Sequence, residues 1–228
     1  MNNQDISYVL SIFSLIFYSI VYLPQFLAIY KAGSSKGVSI WTILLWTQAD
    51  VLSLMGTIVL YMPFSIVLIG WYHYSIGILM MIYVLYYVKG TNTFNFKIKC
   101  FATFAFIAIN TIMCILLNIL VKTSYDDIGA VLGWITMAFY TGGRLPQIWM
   151  NYSDNSTGNL SVLMYIFTII GNSFYVGVIT VDPEFIVENI PWIVNGALSI
   201  LLDIVILVQY YYYNYTLQNE MSSLKLNT

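Results

Sequence analysis

Leu23-Pro24-Gln25 closes one long apolar run, and Leu145-Pro146-Gln147 closes another 122 residues later. The agreement extends outward from the tripeptide at equal spacing. Tyr30 and Tyr152 each lie six residues past the proline, Ser39 and Ser161 fifteen past it, and Asp50 and Asn172 twenty-six past it. Trp71 and Trp192 agree to within one residue, and His73 aligns with Asn195. Self-similarity of this kind is the sequence mark of a repeated structural unit.

The runs around the repeat predict seven helices, over roughly 6–30, 38–61, 65–87, 99–122, 129–151, 160–181 and 190–213. Each is long enough to cross a hydrocarbon core of about 30 Å. Of the 228 residues, 60% are hydrophobic and 8% charged, whereas a soluble domain is about a quarter charged. The chain therefore lacks the polar residues to cover a water-facing surface, and a lipid bilayer is the environment it fits. No basic patch suits nucleic acid. The segment Met1 to Asp5 has no Lys or Arg, and no small-residue cleavage site follows the first run, so that run reads as a span and not as a signal peptide. Cys100 and Cys114 fall in one predicted helix about 21 Å apart, too far to pair, and read as packing residues. Breaks are expected at Gly33-Ser34-Ser35-Lys36-Gly37, Met62-Pro63, Gly90-Thr91-Asn92 and Asp182-Pro183.

The repeat accounts for the odd number of spans. A three-helix unit begins and ends on opposite sides of the membrane, so a second unit joined directly would be inverted. The fourth span, which lacks the motif, restores the orientation. The expected fold is an all-α membrane protein with seven transmembrane helices: two parallel three-helix bundles and a linker helix, one of the recognised transporter layouts. The divisions are 1–90 for the first repeat, 91–125 for the linker, 126–213 for the second repeat and 214–228 for a short, disordered polar tail. Lys31, Lys36, Lys89, Lys97, Lys99 and Lys225 fall on one side and Lys122 on the other. Since cytoplasmic loops retain the basic excess, the C-terminus is expected in the cytosol and the N-terminus outside or in a lumen.

Few residues could carry chemistry. Pro24 and Pro146 remove a backbone donor inside membrane helices and are candidate hinges, although proline is also tolerated in such helices without function. Gln25 and Gln147 could satisfy carbonyls that the kinks release. Asp50 stands mid-span, where an ionised carboxylate costs at least ~2.5–3.5 kcal/mol and faces a bundle interior or cavity. It could bind a cationic substrate, carry a proton, or be a structural carboxyl kept neutral by loss of hydration. Asn172, its counterpart, suits a substrate contact or an interhelical hydrogen bond. Asp203 suits proton coupling or helix packing. His73, the only histidine, could meet substrate or simply pack. Arg144 is expected to snorkel to the interface, and Gly142-Gly143 to serve close packing. One histidine makes no metal site, and neither a nucleophile beside a base nor a phosphate loop is present, so no enzyme activity and no cofactor are expected.

Tyr22-Leu23-Pro24-Gln25 and Arg144-Leu145-Pro146-Gln147, each followed by a polar loop ending in Ser39 or Ser161, resemble the paired signatures of the PQ-loop family. Gly143 to Tyr152, Asn155-Ser156-Thr157-Gly158 and Gly171-Asn172 resemble the lysosomal and vacuolar cationic amino-acid exporters within it. Pro191-Trp192-Ile193-Val194, Leu201-Leu202-Asp203 and Gln209 resemble their last helix, and Asp50 falls where they carry an acidic residue. Other branches include cystinosin and the SWEET sugar transporters. The resemblance implies a seven-helix transporter carrying Lys, Arg or His from an acidic lumen to the cytosol by alternating access. On that reading Asp50, His73, Asn172 and Asn195 contact the substrate near the midplane between the repeats. Pro24, Gln25, Pro146 and Gln147 act at the hinges, and Asp203 serves proton coupling. The sequence departs from the pattern at Ser75-Ile76-Gly77, where an acidic residue is usual, and at Asp154-Asn155, where basic residues are. In the tail, Glu220 is followed by Leu224-Lys225 and not by two leucines. A transporter of neutral amino acids or sugars, and a membrane receptor or scaffold without turnover, are the alternatives. Protein partners are not legible.

Overall fold

The computed structural model describes residues 3–60, 64–88, 93–122, 125–181 and 190–226, and every regular element among them is a helix. In chain order these are α1 (Asn3–Ile20), α2 (Leu23–Ala32), α3 (Ile40–Val59), α4 (Phe64–Tyr86), α5 (Thr93–Leu120), α6 (Asp126–Gly142), α7 (Leu145–Asp154), α8 (Val162–Thr180) and α9 (Ile190–Leu226). The breaks expected at Met62-Pro63, Gly90-Thr91-Asn92 and Asp182-Pro183 lie outside the described residues, as does Lys89.

Spans 1 and 5 are each divided in two, at equivalent places and for the same reason. Proline has no N–H to donate and clashes with the preceding turn, so it is accommodated in the first turn of a new helix. Pro24 and Pro146 stand in the first turns of α2 and α7. The Tyr22 carbonyl accepts the N–H groups of Gln25 and Phe26 at 3.1 and 3.0 Å, and the Arg144 carbonyl accepts those of Gln147 and Ile148 at the same two distances. Six helices are long and apolar enough to cross a membrane, the first counted without interruption from Asp5 to Ala32. The fifth span falls short of that measure because α6 has 17 residues and the polar Gln147, Asn151 and Asp154 belong to α7. The disordered tail expected after Tyr213 is corrected: α9 runs on to Leu226, and the sequence from Tyr210 onward holds no Gly or Pro to stop it.

Packing divides the chain into two compact units, one of Met1–Ser39 with Arg144–Thr228 and one of Ile40–Gly143. In the first, α8 packs against α1, α2 and α9, and α7 packs against α9. In the second, α3 packs against α4, α5 and α6. Each unit is therefore centred on the second helix of one repeat, α8 or α3, and each recruits an arm of the other. The second unit has a core of Val51, Leu54, Met55, Ile58, Tyr74 and Cys114, flanked by Leu117 and Leu132. Tyr74 ties α4 to α5 through the Ile107 carbonyl and Thr111 hydroxyl. Outside this core, α5 exposes Phe101, Phe104, Ile109, Ile112, Ile119 and Leu120. Water would not tolerate so continuous an apolar face, and hydrocarbon suits it.

Candidate functional site

Asp50 is buried on α3, midway along its helix. The Tyr140 hydroxyl on α6 donates to its Oδ1 at 2.6 Å. One helical turn before Asp50, the Trp46 ring N–H donates to the Tyr140 carbonyl at 3.2 Å. Trp46 also explains half of the glycine pair: a Cβ on Gly143 would come within 2.6 Å of its ring, whereas one on Gly142 would meet nothing within 4 Å. Close packing therefore holds for Gly143 and not for Gly142. On the α4 side, the bare Cα of Gly77 sits against Asp50 and Thr47. His73 lies one turn earlier on α4, on the same face as Gly77 by helical spacing. It is half-buried, with its ring 5.5 Å from that of Tyr72.

The first unit repeats this arrangement. Asn172 is buried on α8, its amide N–H donates to the Thr168 carbonyl, and its Oδ1 accepts the Tyr18 hydroxyl at 3.0 Å. Tyr18 and Tyr140 each stand six residues before the proline of their repeat. Each tyrosine thus reaches the polar mid-span residue of the opposite repeat. Asn195 is buried on α9. Its neighbour Gly196 comes so close to α8 that a Cβ there would lie 2.5 Å from Val176 and 3.9 Å from Asn172 Oδ1. The sequence reading named Asp50 and Asn172 and missed both tyrosines, whose shared register was the available signal.

Arg144 does not snorkel; that expectation is corrected. It is 4% exposed, and its Nε and Nη2 meet Oδ1 and Oδ2 of Asp203 at 2.6 and 3.1 Å. Thr168 on α8 donates to Asp203 Oδ2 at 2.8 Å. The pair lies deep between α7, α8 and α9, where a guanidinium with a carboxylate beside it has no reason to reach for water.

Gln25 and Gln147 also do other work than expected. Instead of bonding carbonyls freed by the breaks, each grips the loop of the opposite repeat. Gln25 accepts the Ser161 N–H at 2.8 Å and donates to the Asn159 carbonyl at 3.1 Å. Gln147 accepts the Ser39 N–H at 2.8 Å and donates to the Gly37 carbonyl at 2.8 Å. A side-chain amide carries both a donor and an acceptor, so it can complete a backbone as a neighbouring strand would. The two loops meet at Gly37 and Gly158, with φ +91° and +52°, where a Cβ on either would lie within 3 Å of the other's Cα. Asn159 closes the contact by bonding the Lys36 and Ser34 carbonyls, and Asn151 links Gln147 to Gln209 on α9.

Seven membrane helices arranged as three, one and three, with a Pro-Gln break ending the first helix of each triplet, define a class of repeat-built membrane proteins. A family model for the PQ loop repeat matches residues 6–66 and 128–185, and the chain belongs to the PQ-loop family. It is 25% identical to a lysosomal amino acid transporter 1 homolog of Gallus gallus, over 84% of this chain and 75% of that protein. It is 31% identical to a vacuolar lysine transporter of Saccharomyces cerevisiae, the match covering 36% of this chain and 28% of the yeast protein. Among solved structures, a eukaryotic SWEET transporter superposes with a TM-score of 0.61 at 10% identity, covering 93% of this chain and 99% of that one, a likeness of fold.

Proposed function

We propose that the protein transports cationic amino acids across a lysosomal or vacuolar membrane, from the lumen to the cytosol, by alternating access. The observation that carries this reading is the contrast between the two intramembrane carboxylates. Asp203 has its charge offset by Arg144. Asp50 has a tyrosine hydroxyl, and no described cation lies beside it. A buried carboxylate without a counter-charge is unfavourable, and an arriving ammonium or guanidinium supplies one. The names of the relatives, which specify amino acids and in one case lysine, support the same substrate class. On this reading Asp50 takes the cationic group and His73, in the same unit, meets the rest of the substrate; Asn172 and Asn195 are the equivalent candidate contacts of the other unit. Pro24, Gln25, Pro146 and Gln147 form the switching elements. The ion pair of Asp203 favours helix packing over proton coupling.

Uptake of radiolabelled lysine into proteoliposomes tests the reading. Asp50→Asn leaves the substrate cation without its partner, and in a wet site that costs about 1–2 kcal/mol, below the roughly 3–5 kcal/mol of a fully buried pair. The lysine KM is then expected to rise about tenfold, with little change for a neutral amino acid of similar size. Equal losses for both would make Asp50 a structural or proton-carrying group, and selective uptake of a neutral solute by the unaltered protein would replace the cationic reading.

A further inference from the structure

We propose that the two proline breaks are not equivalent: the second flexes during transport, through Thr141-Gly142-Gly143, and the first is a fixed bend; this rests on the alternating-access reading above. On the near side of those three residues, Tyr140 is held to α3 twice, by its hydroxyl on Asp50 at 2.6 Å and by the Trp46 ring N–H on its carbonyl at 3.2 Å. On the far side, Arg144 is held to α9 by its two bonds with Asp203. Further along α7, Gln209 of α9 donates to the Ile148 carbonyl at 3.1 Å and accepts the Asn151 amide N–H at 3.0 Å. The chain thus changes its packing partner within three residues, two of them glycine. The helical ladder is interrupted there as well. Pro146 has no N–H for the Gly142 carbonyl four residues earlier, and the Gln147 N–H turns to the Arg144 carbonyl at 3.1 Å instead of to that of Gly143. Gly143 is required by the Trp46 ring. Gly142 is not required by packing, since a Cβ there would meet nothing within 4 Å. Nor is it required by backbone conformation, because the left-handed glycines are Gly33, Gly37 and Gly158. What glycine adds at such a place is freedom to take up another conformation.

The first repeat has the same break without these properties. Its equivalent residues are Ser19, Ile20 and Val21, two of them β-branched and none glycine. Tyr18 is held to Asn172 on α8, and α1 and α2 both pack against α8. A bend whose two arms lie on one helix cannot open without losing that packing. The residues that fasten α7 to α9 also have no polar counterpart, since Arg144 and Asn151 align with Tyr22 and Ile29. In the second repeat α7 and α9 therefore travel as one arm, which carries Asn195.

Lysine uptake rate in proteoliposomes, read beside lysine Kd and melting temperature, tests the joint with three variants. Gly142→Ala adds a methyl where there is room and favours continuous helix. It should keep the Kd and melt no lower than the unaltered protein, yet cut the uptake rate several-fold. Gly56→Ala on α3, whose Cβ would meet Leu132 at an ordinary 3.7 Å, stiffens a helix away from the joint and should leave the rate unchanged. Pro24→Leu restores the missing N–H in the first repeat and should slow uptake far less than Gly142→Ala does. An unmoved rate in Gly142→Ala overturns the proposal, as does slowing of similar size in Gly56→Ala or in Pro24→Leu. A lowered melting temperature in Gly142→Ala would make the glycine a packing residue and also overturns it. If the unaltered protein takes up no lysine, the transport reading falls and the joint with it; uptake by the unaltered protein with an unmoved rate in Gly142→Ala rejects the joint alone.

Discussion

A carboxylate inside a membrane helix persists when something offsets its charge, and Arg144 does this for Asp203 through two hydrogen bonds. Removing one partner leaves the other charge buried and alone, a change that costs roughly 3–5 kcal/mol. Arg144→Met should therefore lower the melting temperature in detergent sharply, and Arg144→Met with Asp203→Leu should recover most of the loss. A double variant as unstable as the sum of the singles would show that the pair is not the energetic unit. Such pairs are poorly legible in a sequence. Arg144 and Asp203 lie 59 positions apart on different helices, and an arginine near a span's end invites the snorkelling reading. Asp50 was legible because a charge in an apolar run has few explanations. Tyr140 was not, because it is one of 20 tyrosines, and only its register with Tyr18 distinguishes it.

The first and fifth spans carry the prolines, which the sequence offered as kink or hinge candidates within continuous spans; the structure starts a new helix at each. The sequence did not foretell where the glutamines reach, since a side-chain amide paired with a backbone 12 to 14 residues further along the opposite repeat leaves no periodic trace. Pro146→Leu restores the missing N–H and allows α6 to continue into α7. The variant is expected to insert and bind lysine with ordinary affinity but to turn over slowly, measured as unchanged Kd with reduced uptake rate; normal transport would remove the hinge role from the second repeat. The loops should be less forgiving than the breaks. Gly37 has φ +91°, and a Cβ there would stand 2.2 Å from the Thr157 carbonyl oxygen, a backbone atom that cannot rotate aside. Gly37→Ala should therefore lower thermal stability, whereas Gly→Ala at a position of negative φ with open space stabilises by about 0.4–1 kcal/mol. Gln147→Leu should also destabilise the chain, by leaving the Ser39 N–H and Gly37 carbonyl without the partners they have here.

The whole chain was foretold as seven spans in two repeats, because hydrophobic length and the repeated motif are properties of sequence alone. The packing units were not, because the repeats exchange arms: α1 packs against α8, and α6 packs against α3. Orientation is a further whole-chain property; we propose, from the lysine asymmetry, that the α2–α3 and α7–α8 loops face the cytosol and the α5–α6 loop the lumen. Asn155 is an exposed residue in the α7–α8 loop, and Lys122 is an exposed residue in the α5–α6 loop. Both suit a single introduced cysteine in a background lacking Cys100 and Cys114. In intact lysosomes or vacuoles, Asn155→Cys should react with a membrane-impermeant maleimide, whereas Lys122→Cys should react only after permeabilisation. The native sequence supplies an independent check, since Asn155-Ser156-Thr157 is a glycosylation sequon on an exposed turn and should stay unmodified if it faces the cytosol. A glycosidase-sensitive mass shift abolished by Asn155→Gln, together with reversed maleimide labelling, would invert the orientation and with it the direction of export.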